Sequence, residues 1–315
     1  FKQKTAYEIS LGLVGSEMCI RDRLTASPHR VTPLCGYFGA CTGCQWQHIS
    51  YQHQLEIKQK MVQEAFNGEW GKVEIIAEPT IPSENQFGYR NHARFTVSKN
   101  AKLGFVNKAT RNIIEIDECL IMDPGINQAL VALQGLVGET SQLSIRYGVN
   151  TKSLMVQPTL HRPEIPFLTG QPTYTEALLG QNFQVGSPSF FQVNTGIAEQ
   201  LAILIKDALR LTGSETVIDA YAGVSTFAVL LGDYAKSVIA IEESSSALKD
   251  AEVNIGTRAN IKLERARTEI ALQKFVGQDI DAVILDPPRM GCQPAALRAL
   301  MEIAPRRVVY VSCDP

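Results

Sequence analysis

Apolar and polar residues repeat with two different periods along this chain. From Ser50 to Phe66, Leu55, Met61, Val62, Ala65 and Phe66 recur among Gln, Lys and Glu. That spacing predicts an amphipathic helix, which Asn67-Gly68 would end. From about Val73 to Gln184 short β-type runs alternate with turn residues: Ala93–Ser98, Ile113–Ile116, Ser144–Tyr147 and Ser153–Gln157. This predicts a mostly β region with one helix near Ile126–Val137. After Gly186 apolar strands alternate with helical stretches: Val217–Tyr221, Thr226–Leu231, Ser237–Ile241, Ser245–Ile255, Ala282–Leu285, Ala295–Ile303 and Arg307–Ser312. With Ile261–Leu263 as the third strand, five strands are expected in a parallel sheet with right-handed crossovers.

At 315 residues and 45% hydrophobic, the chain has material for about two domains. Residues 24–187 are expected to form a central region and 188–315 an α/β domain. The helix at about 50–66 is a candidate to pack on the latter. Ala6 to Arg23 resembles a translated sequencing adapter, so residues 1–23 are expected to be non-native and stand outside the fold argument. No apolar run reaches the roughly 20 residues of a membrane span, and no secretory signal is apparent. A soluble, cytoplasmic monomer is expected. The seven cysteines then read as thiols or metal ligands.

A net charge of −2 gives no overall sign of nucleic-acid binding, but its distribution does. Asn85 to Ile114 contains no Asp or Glu, yet holds Arg90, Arg94, Lys99, Lys102, Lys108 and Arg111, interleaved with Phe87, Tyr89, Phe95 and Phe105. A solvated strand face explains this, and so does phosphate neutralisation with base stacking.

In an open parallel sheet, ligands bind beyond the carboxyl ends of the strands. The first strand ends in Asp219-Ala220-Tyr221-Ala222-Gly223, and the second ends in Glu242, where an acid can accept from both ribose hydroxyls. The loop holds Gly223 and no G-x-G-x-x-G, so it suits a nucleoside better than a pyrophosphate. This points to S-adenosylmethionine rather than NAD. The fourth strand ends in Asp286-Pro287-Pro288-Arg289, where two prolines fix a rigid turn. Cys313 ends the next strand and is expected beside Asp286. Methylation at C5 of a pyrimidine gives such a thiolate definite work: addition at C6 makes C5 nucleophilic, and a base later removes the C5 proton. Elsewhere, Cys35-x5-Cys41-x2-Cys44 and the remote Cys119 can hold zinc or an iron–sulfur cluster, and spacing alone does not decide between them.

Tyr310-Val311-Ser312-Cys313-Asp314-Pro315, Asp286-Pro287-Pro288-Arg289 and Ser189-Phe190-Phe191-Gln192-Val193-Asn194 resemble the RNA 5-methyluridine (uracil-C5) methyltransferase family, nearly throughout Pro28 to Pro315. The resemblance implies a Rossmann-like S-adenosylmethionine-dependent methyltransferase domain, with a mostly β central domain carrying an iron–sulfur loop. It implies Cys313 as nucleophile and Gln192, Tyr221, Glu242 and Asp286 as contacts of S-adenosylmethionine. Thr226 stands where the family often has Asn. The cysteine loop and the residues after it resemble the family's iron–sulfur branch, which implies a [4Fe–4S] cluster on Cys35, Cys41, Cys44 and Cys119. That branch favours 23S ribosomal RNA, with tRNA as the alternative. A non-catalytic, cluster-bearing RNA-binding protein is the reading from another class. Phe190, Arg90, Arg94 and Arg289 are candidate RNA contacts, with Phe190 or Phe191 near the target base. The family's base is a glutamate in a later segment and its RNA-binding barrel precedes residues 24–34. The chain is therefore expected to be a fragment truncated at both ends and inactive as it stands, with Arg307–Ser312 an unprotected edge strand.

Overall fold

The computed structural model describes residues 25–66 and 75–313. The adapter-like segment, the Asn67-Gly68 stop and Asp314-Pro315 lie outside the described residues. The chain forms two compact units that interleave in sequence. Among the described residues, one comprises 25–66, 75–82, 95–119 and 133–142; the other comprises 83–94, 120–132 and 143–313.

The first unit holds the long helix α1 (Tyr51–Phe66) and the strands β1 (His92–Val97), β2 (Leu103–Val106) and β3 (Ile113–Glu115), β1 beginning in the other unit. β2 pairs antiparallel with both β1 and β3. Gly104 is required there, because a Cβ would lie 2.2 Å from the Ile114 carbonyl oxygen. Side chains of α1 close its flank: Gln59 and Gln63 bond the backbone of Ala77 and Ile75, and the Thr80 hydroxyl donates to the Leu55 carbonyl.

The second unit is built on five parallel strands in the order β10-β9-β8-β11-β12. They are β8 (Thr216–Ala220), β9 (Ser237–Glu242), β10 (Ile261–Arg265), β11 (Ala282–Leu285) and β12 (Arg307–Tyr310). The sequence pattern anticipated all five. Their side chains alternate between two cores. Val217, Val238, Ala240, Ala282 and Ile284 face a large one with α3 (Thr195–Leu209), α4 (Thr226–Gly232) and Phe183. Ile218, Ala220, Ile241, Val283 and Leu285 face a smaller one with α7 (Pro294–Ile303). Burial on both faces explains the nearly unbroken apolar runs.

Local chemistry sets the helix ends. The Asn194 side chain accepts from the Ile197 amide and starts α3. Ser244 caps α5 (Ser245–Ile255) through the Ala247 amide, and Pro294 opens α7. This unit also contains α2 (Pro124–Leu133), the antiparallel pair β4 (Gln142–Tyr147) and β5 (Leu154–Gln157), and the hairpin β6 (Thr173–Leu178) with β7 (Gln181–Gly186). A short helix α6 (Thr268–Ala271) runs into a 3₁₀ turn, Leu272–Phe275.

Candidate active site

The register of the sheet brings three of the four predicted cofactor residues, Tyr221, Glu242 and Asp286, to one edge. Ala220 is paired with Ile241 on one side and Leu285 on the other, and Leu285 with Tyr310. Tyr221, Glu242, Asp286 and Val311 therefore stand one step beyond these matched pairs, Glu242 as the last residue of β9, along the carboxyl edge where such sheets take ligands. Glu242 Oε2 accepts the Gly223 amide at 2.7 Å, and its Oε1 accepts the amides of Glu243 and Ser244. The second strand's acid thus shapes the first strand's loop. The turn is tight: Tyr221 and Ser225 have φ of 63° and 64°, and Gly223 has φ of 57°. A Cβ on Gly223 would meet open space, so its left-handed backbone is the reason for glycine there. The Tyr221 hydroxyl is buried beside the Cys292 thiol.

Asp286 is half-buried, and burial pushes its carboxyl up to about 6. One strand further, the β12 ladder ends at Tyr310 with Val311 donating to the Leu285 carbonyl at 2.8 Å. Cys313 lies exposed, three residues beyond the strand end. The cysteine expected to end the strand is therefore on the loop after it.

Gln192 sits on a loop held from several sides. The Asn91 side chain donates to the Gln192 carbonyl at 3.0 Å and to the Thr195 hydroxyl at 3.2 Å. Asp250 of α5 accepts from the Gly186 amide and, at 2.5 Å, from the Ser189 hydroxyl. Arg146 donates to the Ser187 carbonyl. On this loop Phe190 is 71% exposed, whereas Phe191 is buried against Phe183. Of the two candidate stacking rings, only Phe190 reaches solvent. Arg289 and Arg94 are exposed, and Arg90 is half-buried with its Nε donating to the His92 carbonyl. The basic stretch divides between the units, Arg90 and Arg94 in one and Lys99, Lys102, Lys108 and Arg111 in the other.

Two features escaped the sequence reading. Asp219, in the strand that was recognised, is wholly buried; its Oδ2 accepts the Ala228 amide at 2.9 Å while its Oδ1 has no partner. It caps α4, whose N-cap residue, Ser225, provides no side-chain hydrogen bond. An acid ending an apolar strand was its only signal. Asn91 and Asp250 lie 101 and 61 residues from the groups they hold, and no local pattern announces them.

The cysteine loop belongs to the first unit. Phe38 and Cys41 donate to the carbonyls of Cys35 and Tyr37 in successive turns. The Tyr37 hydroxyl accepts the Asp117 amide at 3.1 Å and donates to its carboxylate at 3.3 Å, tying the loop to the segment that leads into Cys119. Asn107 and Lys108 bond Ala40 and Thr42. Cys35, Cys41, Cys44 and Cys119 are all half-buried, and none is in a disulfide. Yet no group of three or more His, Cys, Asp or Glu side chains among the described residues is arranged to hold a metal ion. A single tetrahedral ion with bonds of about 2.3 Å would draw its sulfurs to roughly 4 Å of one another. The four thiols share one unit but are not gathered into a metal-holding group. No helix among the described residues is long and apolar enough to cross a membrane.

No protein-family model matches the chain. An uncharacterized RNA methyltransferase of Gloeobacter violaceus is 31% identical over 347 aligned positions, covering 92% of this chain and 75% of the relative. One from Halalkalibacterium halodurans is 30% identical, covering 94% and 77%. Among solved structures, the tRNA (uracil-54, C5)-methyltransferase of Pyrococcus abyssi in complex with S-adenosyl-L-homocysteine superposes with a TM-score of 0.76. It covers 93% of this chain and 79% of that one at 24% identity, and so bears on the fold.

Proposed function

The chain belongs to the RNA methyltransferases, and on that premise we propose that it methylates C5 of a uridine in RNA with S-adenosylmethionine as donor. The observation that supports this reading most is an exposed thiol, Cys313, one strand over from the half-buried Asp286 on the carboxyl edge of a parallel sheet. The donor fits the residues present: Asp219 Oδ1 is an orphaned acceptor, Glu242 is fixed by three amides, and the space beyond Gly223 is open. Glu242, Tyr221, Gln192 and Asp286 would hold it, and when bound it supplies an electrophilic methyl group.

Cys313 as thiolate adds to C6 of the uridine, which makes C5 electron-rich. The nucleobase must leave its stack to expose C6. Phe190, exposed on a loop fixed by Asn91, Asp250 and Arg146, offers a stacking face, and Arg94, Arg289 and Arg90 are candidates for phosphate contacts. The C5 proton leaves to a base outside the residues assigned here.

Residues 188–315 are assigned to the catalytic domain and 24–187 to the central RNA-binding region. A [4Fe–4S] cluster on Cys35, Cys41, Cys44 and Cys119 is proposed as a structural element of the latter. On the resemblance of that loop we favour 23S ribosomal RNA over tRNA, in a cytoplasmic monomer. RNA carrying 5-fluorouridine tests the chemistry, because fluorine at C5 blocks release of the adduct. With S-adenosylmethionine present, a full-length version is expected to give a denaturation-resistant protein–RNA band, absent in its Cys313→Ala variant. Equal yields from the two proteins would refute the nucleophile. RNA binding with no adduct in either would favour the non-catalytic reading.

A further inference from the structure

We propose that Asp219 is a charge-matching residue of the donor site, kept for a cationic ligand whose binding drives a proton off the carboxyl groups at the sheet's edge. The inference rests on the reading of that edge as the S-adenosylmethionine site, and it concerns the protein's own carboxyl groups.

Asp219 has 0% exposure, and one of its oxygens lacks any partner. A buried carboxylate normally persists only when paired and fully hydrogen-bonded. Here the groups facing it work mostly the other way. From α4 comes one amide, that of Ala228, which favours the charge. From β11 comes Asp286 and from β9 comes Glu242, both of which oppose it. No cation acts on it from these elements. Burial and the two neighbouring acids push Asp219 up to about 7, and burial alone takes Asp286 to about 6. The ligand-free edge therefore holds protons near neutral pH.

This arrangement is costly unless it has a counter-charge to receive. A sulfonium donor carries one, together with an α-ammonium group. The exchange balances simply: a neutral carboxyl becomes a carboxylate opposite the cation, and its proton goes to solvent. After methyl transfer the product, S-adenosylhomocysteine, is a neutral thioether that keeps the ammonium. It should be matched less well, so the same residue favours donor over product. Asp219 touches no reacting atom in this scheme; it acts by charge.

Calorimetric titration with S-adenosylmethionine, run at pH 7 in phosphate and in Tris, counts the protons released. We expect net release, affinity rising about tenfold between pH 6 and pH 8, and a smaller release with S-adenosylhomocysteine. Asp219→Asn keeps an acceptor for the Ala228 amide and should lose most of the release and of the pH dependence. Binding without proton release, or unchanged release in Asp219→Asn, would overturn the proposal. If that variant does not fold, the unaltered protein decides: equal release with both ligands overturns it. Absence of any binding would remove the donor-site reading and this inference together, whereas binding without release removes the inference alone.

Discussion

The sheet's edge and the cysteine loop position their reactive groups by opposite means. At the edge, Tyr221 and Asp286 extend strands whose residues are nearly all buried, Glu242 ends β9, and β8 is paired on both sides. Their spacing is fixed by long-range packing before any ligand arrives. In the loop, none of residues 35–44 is fully buried, and turns plus a few side-chain bonds to Asn107, Lys108 and Asp117 define the path. Such a segment lies at the low end of local stability. A site made by packing is present without its ligand, whereas a site made by a loop draws rigidity from whatever it binds.

Acidity gives the largest test of the difference. Asp219 has a native value near 7 against an ordinary 3.8, so between those limits the folded protein binds more protons than the unfolded one. Stability should therefore fall as pH rises from 4 to 7, by about 4 kcal/mol from this group. Urea melts across that range should show a fall that shrinks in Asp219→Asn; a flat profile in the parent would mean the edge is less buried than described. Next, Ile218→Ala hollows the core behind β8 and should cost about 3 kcal/mol, seen as a lower urea midpoint with iron content unchanged. Conversely, Cys41→Ser should abolish any bound iron and sulfide in anaerobically purified protein and shift the main unfolding transition by less than about 1 kcal/mol. Stoichiometric zinc without iron in the parent would sink the cluster. Smallest in stability, under about 0.5 kcal/mol, Phe190→Ala should weaken RNA binding by about 1–3 kcal/mol in a filter assay, as a stacking contact would.

The βαβ half of the fold was legible because its central strands β8 and β11 are buried on both faces and the helices α5 and α7 each carry an apolar stripe. Ser245–Ile255 and Ala282–Leu285 were read to the residue. Helix α3 was not named; exposed Ile203 and Leu204 blur its polar face, and its N-cap Asn194 had been read only within a motif. The ordering of Tyr221, Glu242 and Asp286 along one edge followed from strand ends alone. What sequence could not supply was burial within a motif: adjacent Phe190 and Phe191 point to opposite fates, and Asp219 differs from Asp286 only in what surrounds it. The interleaving of the two units was equally hidden, because the contacts that define them join segments far apart in the chain.

The position of β12 at the end of the strand order has a dynamic consequence. Its residues alternate between half-buried and exposed, and it has one paired neighbour, β11, among the described residues, whereas β8 has two and is buried along most of its length. Amide exchange should then be slowest in β8 and β11 and orders of magnitude faster along β12. Of the residues proposed to hold the donor, Tyr221 and Asp286 hang from the slow strands, and the thiol proposed to attack hangs from the fast one. Opening of that single ladder, on a timescale of microseconds to seconds, would change how often Cys313 is aligned while leaving the donor's pocket intact.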